Sequence, residues 1–374
     1  MRESHRRLLA MGVDLHVLAP AWKGLSSHQI DGVPVYRFRY APKSLEILTH
    51  DEGGPNKIAR KPWLQLLAIP YLLSGTWSCL KLCLRLRPNV LHVHWPFPHG
   101  LIAWPMQRLF HIPVLLNFYG AELLLVRKRP WVAHVLTFLI RRSDGVLAIS
   151  SFTATTVQKI CPCKIDLIPF GTTLENFHPQ PRTLSGPRPF TALFVGRHVE
   201  RKGLRYLVEA AALLDPQRFQ IRIVGQGDQT PTLRELAGRV APQQVVFTGK
   251  IPSDALAQEY ADADCFVLPS IVDSRGDTEG LGVVLIEAAA LNLPLVASNV
   301  GGIPDIVVDG VSGLLVPEKD PQALAQALIR LASDPTLGDK LRQGARKHIE
   351  EHFSWEGITT QLMDLYQRLC RRGL

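Results

Sequence analysis

Between Asp264 and Pro317 the chain reads as a strand (CFVLPS), a polar loop (IVDSRGDTEG), a helix (VVLIEAAAL) and a second strand (PLVAS). A glycine turn, GGIPD, then opens a short helical segment before the strand GLLVP. That alternation folds most naturally as a parallel sheet covered by helices. Each helix starts just after a Gly-containing loop at a strand end, where unpaired backbone N–H groups converge and welcome an anion. Two carboxylates belong to the first of these units, Glu279 in the loop and Glu287 within the helix. Two glutamates at this spacing also occur on solvated helix faces, but Glu287 lies inside an apolar run, where an unpartnered charge is costly to bury. Amides for phosphates and carboxylates for hydroxyls suit a nucleotide that carries a sugar.

The same alternation extends along most of the 374 residues, a length that favours two domains over a single core. Charge is unevenly divided. Met1 to Glu175 holds 21 Lys+Arg against 10 Asp+Glu, a net +11, and Asn176 to Leu374 holds 21 against 23, a net −2. A basic first half fits an anionic membrane surface or a phosphorylated acceptor, and equally a general basic surface that aids solubility. No nucleic-acid reading motif accompanies the charge. The six cysteines form no disulfide framework in a chain of this length, and Cys161-Pro-Cys163 lacks the second pair of a zinc site. A reducing cytoplasm fits, and the first residues show no secretory signal.

In chain order, RESHRRLLAMG reads as an amphipathic helix and DLHVLAP as the strand after it. A nucleotide-type domain normally opens one unit earlier, with a strand and a glycine-rich loop, so the first domain is expected to be incomplete at its N-terminus. DGVPVYRFRY reads as a strand pair with a turn, and APKSLEILTHDEGGPNKIARKP as a loop that orders on acceptor binding. WLQLLAIPYLLSGTWSCLKLCLRLRP is long and apolar, interrupted by Pro70, Ser74, Gly75, Ser78 and Lys81. It reads as one or two helices packed on the first sheet. A monotopic helix with Arg85 and Arg87 at phosphate level is a second reading and a spanning helix a third. Trp63 and Leu64 are the candidates for insertion, with Arg60, Lys61, Arg85, Arg87, Arg127, Lys128 and Arg129 for attraction to anionic lipid.

PNVLHVHWPFPHG places His92 and His94 on one side of a strand end, as a metal or catalytic pair or as polar groups beside a cleft. Metal binding needs a third ligand, and contact of His94 or His99 with an acceptor is the better reading. IPVLLNFYGAELL repeats the strand-then-loop pattern and carries Tyr119 and Glu122. The stretch His178 to Pro189 is a linker by composition. Beyond it, FTALFVGRHVERKGLRYLVEAAALL is strand, glycine turn and helix, with Arg197 and Lys202 framing the turn. Gly225-x-Gly227 is no dinucleotide fingerprint, because the third glycine is absent. No Asp-x-Asp metal grip stands on a suitable loop: Asp262-Ala-Asp264 is the only match, and its place before a buried strand favours an N-cap or structural role.

The E-x7-E spacing of Glu279 and Glu287, the GGIPD turn and the G-R-x4-K-G run from Gly196 to Gly203 together resemble the retaining glycosyltransferases of family 4. The resemblance is strong from about Phe190 to Phe353 and weaker before. It implies the glycosyltransferase B arrangement: two Rossmann-like domains with parallel sheets facing across a cleft. Residues 1–177 would form the acceptor domain, 178–354 the nucleotide-sugar donor domain, and a final helix over 355–374 would pack back on the first. Glu279 would meet the donor sugar or phosphate, Glu287 the ribose, and Arg197 and Lys202 the diphosphate. Gly196, Gly225, Lys250, Ile251, Gly280, Leu281 and Gly282 would complete the donor site. His94, His99, Tyr119 and Glu122 would face the acceptor. Tyr119 stands where the family usually carries a histidine near the reaction centre, and a phenol is a poor base at neutral pH.

The resemblance implies transfer of a mannose- or glucose-type hexose, with retention, from a nucleoside-diphosphate sugar to a lipid-linked or saccharide acceptor. Neither a metal nor a cofactor is expected, and neither is nucleic acid. The expected location is the cytoplasm, peripheral on the inner face of the cell membrane. Two other classes stand beside this one. The first is a non-catalytic nucleotide-sugar-binding protein or fragment on the same fold, lacking the first strand and glycine-rich loop. The second is an oxidoreductase on a Rossmann scaffold, against which the absence of G-x-G-x-x-G counts.

Overall fold

The computed structural model describes residues 2–49, 57, 61–120, 122–171 and 188–372. Arg60, most of the expected acceptor loop beyond Thr49, and the expected linker up to position 187 lie outside the described residues. The chain forms two compact units. The first comprises Met1–Ile149, Ala154–Ile168 and Thr359–Leu374, the second Ser150–Thr153 and Pro169–Ile358.

The first unit opens with α1 (Arg2–Ala10), β1 (Val17–Pro20), β2 (His28–Ile30) and β3 (Val33–Phe38). DGVPVYRFRY supplies one strand and the turn, and the partner strand lies upstream of it. Asp31 and Gly32 both have positive φ, 50° and 84°, the conformation that lets a two-residue hairpin follow the strand twist. Val33, Val35 and Phe38 are the buried positions of β3, which pairs parallel with β1 on its other edge. A 3-10 turn (Pro62–Leu67) leads into a single helix, α2 (Ala68–Leu86). Tyr71, Gly75, Cys79 and Cys83 recur every fourth residue and form its buried stripe. That stripe joins a core with Phe38, Tyr40, Ile102 and Met106.

Next come β4 (Leu91–His94), α3 (Pro96–Phe110), β5 (Val114–Phe118), α4 (Leu123–Lys128), α5 (Trp131–Arg142), β6 (Gly145–Ala148), α6 (Ser151–Ile160) and β7 (Asp166–Leu167). They build a four-stranded, all-parallel sheet of order β4-β5-β6-β7. Every residue of β5 is buried, as a parallel strand covered on both faces requires. The strands of the first unit thus fall into two sheets: β1 and β4 exchange no ladder, although Leu18 and Leu91 pack against the same core.

The second unit alternates regularly: β8 (Phe190–Val195), α7 (Leu204–Ala211), β9 (Phe219–Val224), α8 (Thr230–Val240), β10 (Val245–Gly249), α9 (Ser253–Asp262), β11 (Cys265–Leu268), α10 (Val283–Ala290), β12 (Leu295–Ser298) and β13 (Leu314–Val316). Helices α11 (Pro321–Ser333) and α12 (Pro335–His352) follow, N-capped by Asp320 and Asp334. The last helix, α13 (Trp355–Arg372), belongs to the first unit from Thr359 onward. All six strands are parallel, in the order β10-β9-β8-β11-β12-β13. Strands β11 and β12 are buried throughout, which explains the apolar runs CFVL and LVA within them. Strand order reverses between β8 and β11, and in such sheets the crevice outside the carboxyl ends at that point is where ligands bind.

Candidate functional site

At that reversal the loops leaving β8 and β11 meet. After β8 the chain passes Gly196 and Arg197 into a 3-10 turn, Glu200–Lys202, which ends on Gly203 with φ 64°. A Cβ on Gly203 would stand 1.9 Å from the carbonyl oxygen of Pro269, so only glycine lets this turn lie against the end of β11. After β11, Asp273 folds the polar loop by accepting from the Arg275 and Asp277 N–H groups, both at 2.8 Å. Glu279 follows. Its Oε2 lies 2.5 Å from Lys202 Nζ and 3.2 Å from Arg201 Nη1, and Ser270 Oγ donates to it at 3.4 Å. Lys202 and Glu279 are both buried. Burial alone pushes Glu279 up, but Lys202 and then Arg201 overcome it and hold the carboxyl below its ordinary range. Burial lowers Lys202 despite the attraction of Glu279.

The turn expected at GGIPD buttresses this loop. Gly301, at φ 61°, would bring a Cβ within 2.2 Å of the Glu279 carbonyl oxygen, and the Gly302 N–H donates to that oxygen at 2.9 Å. Gly280, Leu281 and Gly282 carry the chain from Glu279 into the first turn of α10. One turn on, Glu287 is half-buried and has no side-chain hydrogen bond or ion pair among the described residues. Burial pushes its carboxyl up, and the buried hydroxyl of Tyr260, which Glu287 influences electrostatically, has no partner either among those residues. Arg197 is exposed and forms no ion pair among the described residues, yet is near enough to Lys202 to disfavour its charge. Gly225 follows β9 and its N–H donates to the Gly249 carbonyl at 2.8 Å, which brings Lys250 and Ile251, the residues after β10, to the neighbouring strand end.

Sequence reasoning missed His198, one of the four unspecified positions of the G-R-x4-K-G run. Its ring is buried, with Nδ1 2.9 Å from Thr230 Oγ1, and Thr230 Oγ1 accepts the Gly227 N–H at 2.9 Å. His198 therefore ties the glycine turn after β9 to the turn after β8. Burial lowers its pKa. Asp264 is structural: it grips Arg188 through two bonds of 2.8 Å and accepts the Thr191 N–H.

In the first unit the expected residues gather at the carboxyl ends of β4 and β5. The Tyr119 hydroxyl oxygen accepts from Asn117 Nδ2 at 3.0 Å and lies 2.5 Å from His94 Nδ1. Burial and the neighbouring His92 push His94 well below the ordinary histidine range, and burial drives Tyr119 upward. His94 stacks on His92, centroids 4.3 Å apart, and His92 Nδ1 lies 2.7 Å from the hydroxyl of Tyr366 on α13. Burial lowers His92 to about 3. His99 was expected at the acceptor, but both its nitrogens are engaged. Nδ1 donates to the His94 carbonyl, and Nε2 accepts from Tyr71, each at 2.8 Å. Glu122 likewise turns inward: its buried carboxylate accepts the Tyr119 N–H at 2.7 Å and so shapes the loop after β5. Burial raises it to about 7. Leu64, expected to insert in lipid, is a core residue, because the 3-10 turn directs it inward.

Residues 1–176 match the family described as Glycosyltransferase Family 4, and residues 189–334 match the family described as Glycosyl transferases group 1. WcaL of Escherichia coli strain K12, to which a glycosyltransferase role in colanic acid biosynthesis is ascribed, is 37% identical over 304 residues, 78% of this chain and 73% of its own length. A GDP-mannose-dependent alpha-(1-6)-phosphatidylinositol monomannoside mannosyltransferase of Mycobacterium tuberculosis is 30% identical over 257 residues, covering 63% of this chain and 64% of that protein. Among solved structures, sucrose-phosphate synthase of Thermosynechococcus elongatus superposes with a TM-score of 0.78 at 24% identity, over 98% of this chain and 92% of the other. That likeness is one of fold, the glycosyltransferase B fold.

Proposed function

Because this chain belongs to the family 4, group 1 glycosyltransferases, we propose that it transfers a hexosyl group from a nucleoside-diphosphate sugar to a lipid-linked or saccharide acceptor, with retention. The observation that carries this reading is the buried Lys202–Glu279 pair at the strand-order reversal, with Arg197 beside it and Glu287 on α10 both without an ion-pair partner among the described residues. The bond from the anomeric carbon to the phosphate oxygen breaks, and a bond to the acceptor oxygen forms on the same face. The acceptor proton leaves with the diphosphate. Arg197 and Lys202 stabilise the charge that develops on the leaving group, Glu279 fixes Lys202 in place, and Glu287 receives the ribose hydroxyls. Fixed cations and backbone amides do this electrostatic work without a metal or cofactor.

The first unit is the acceptor domain in this reading, with the His94–Tyr119 pair beside the accepting hydroxyl. Six free thiols fit a reducing cytoplasm. One observation favours a second reading, a nucleotide-sugar-binding protein without transfer: Tyr119, at the place of a family histidine, has its proton held by burial. Incubation with a panel of uridine and guanosine diphosphate hexoses and a lipid extract, followed by NMR of the product, separates the two. The donor's anomeric configuration retained in a new glycoside supports transfer. Binding without any glycoside supports the second reading.

A further inference from the structure

We propose that the outer face of α2 is a docking surface that seats the first unit on an anionic lipid bilayer. Leu66, just before the helix, and Ile69, Leu73, Trp77 and Leu84 on it are each at least 58% exposed. At 3.6 residues per turn the four on the helix fall within a sector of roughly 80°. Leu80 in the same sector is half-buried against the core, so the exposed stripe is densest from Leu66 to Trp77, and exposed apolar surface of this kind marks an interaction site. Pro62–Leu86 is long and apolar enough to cross a membrane by length and composition. Its opposite stripe, however, is built into the core. A Cβ on Gly75 would stand 2.5 Å from Ile102 Cδ1, and Tyr71, Cys79 and Cys83 are buried against the same core. The helix therefore lies on a bilayer with one face and in the protein with the other.

Charge names the occupant. No Asp or Glu occurs between Glu52 and Glu122. Lys81 and Arg85 flank the apolar stripe on one side and Arg87 follows it; none of the three has a carboxylate partner among the described residues. Lys81 Nζ sits 5.1 Å over the Trp77 ring and the Arg85 guanidinium 4.9 Å over Tyr36, so both cations rest on aromatic faces at the edge of the stripe. Apolar insertion bordered by cations with no carboxylate partner among the described residues matches the acyl chains and phosphates of an anionic surface. A second copy of the chain would bring the same cations against one another.

Docking also connects to the candidate acceptor residues. Tyr71, on the inner face of α2, bonds His99, which bonds the carbonyl of His94. The inference rests on the transferase reading only in taking the acceptor from the bilayer, since docking itself needs no catalysis.

The test is co-sedimentation of the full chain with vesicles of phosphatidylglycerol and phosphatidylcholine, and with phosphatidylcholine alone, at low and high salt. The protein should pellet with the anionic vesicles at least about tenfold more tightly than with neutral ones, and salt should weaken it. Lys81→Gln, Arg85→Gln and Arg87→Gln together should lower that affinity about a hundredfold, at about fivefold per cation. Leu73→Glu with Trp77→Glu should release the protein while leaving its urea midpoint unchanged, because both side chains are exposed. Retention in the supernatant with anionic vesicles at low salt overturns the proposal. So does a dimer by light scattering that Leu73→Glu with Trp77→Glu converts to monomer. Nucleotide-sugar binding measured without vesicles tells failure of docking apart from failure of the transferase reading.

Discussion

Replacing Lys202 by Met leaves Glu279 buried with only Arg201 as its cationic partner. The magnitude follows from the geometry. Both side chains are nearly inaccessible, at 9% and 11%, so solvent does not screen the 2.5 Å contact. Removing one member of such a pair costs about 3–5 kcal/mol, because a charge remains buried without compensation. Arg201, 3.2 Å from the same oxygen, retains part of the attraction, so the expected loss is about 2–3 kcal/mol. Glu279→Gln should cost a similar amount, since it leaves Lys202 beside Arg201 with no carboxylate. The double variant should be more stable than the sum of the single losses by about 2 kcal/mol. Urea unfolding of all four proteins at neutral pH measures this. Lys202→Met should also lower kcat/KM by about 30- to 1,000-fold, equivalent to about 2–4 kcal/mol of transition-state stabilisation. Additivity within about 0.5 kcal/mol, or kinetics within twofold of the parent, would refute the pair as the organising element of the site.

Transfer should survive EDTA undiminished, and loss of activity restored by Mn²⁺ would contradict the assignment of leaving-group charge to Arg197 and Lys202. The pH dependence of stability carries a definite sign. His92 titrates near 3 in the folded state against about 6.5 unfolded, so its contribution is complete above 6.5 and is lost as pH falls through that window. Glu122, raised to about 7 from 4.5, acts oppositely, its contribution declining as pH rises between those values. His94 and His99 shift with His92, so the urea midpoint should fall on acidification below 6.5, and His92→Asn should flatten that fall. An acid limb as steep in His92→Asn as in the parent would remove the cluster from this role.

The candidate residues of the second unit could be picked out because their motifs are local in sequence. G-R-x4-K-G and E-x7-E each sit on one strand-turn-helix unit, and periodicity alone places those units in a parallel sheet. What the sequence hid is the pairing of Lys202 with Glu279, since their proximity depends on β8 and β11 being neighbours across the strand-order reversal. His198 was invisible for a similar reason: its partner Thr230 belongs to the next strand-helix unit. In the first unit His94 and Tyr119 were recognised at adjacent strand ends, but the inward turn of His99 and Glu122 was not. Tyr71, which takes up His99, comes from a helix that composition alone left between core and membrane. Leu64 and Leu66 show the same limit. They are equally apolar and two residues apart, and only the 3-10 turn decides that one is core and the other exposed.

In the proposed function the second unit holds a nucleoside-diphosphate sugar between cations at the strand-order reversal and the Glu287 carboxylate on α10. Ligand-observed saturation-transfer NMR with uridine and guanosine diphosphate hexoses tests it most directly, on the parent protein and on Arg197→Ala and Glu287→Ala. The account predicts transfer to both ribose and diphosphate-linked sugar in the parent for at least one donor. It predicts at least about tenfold weaker binding in each variant, the worth of one charge-assisted contact. No saturation transfer to any diphosphate sugar, or equal binding by Glu287→Ala, would contradict it.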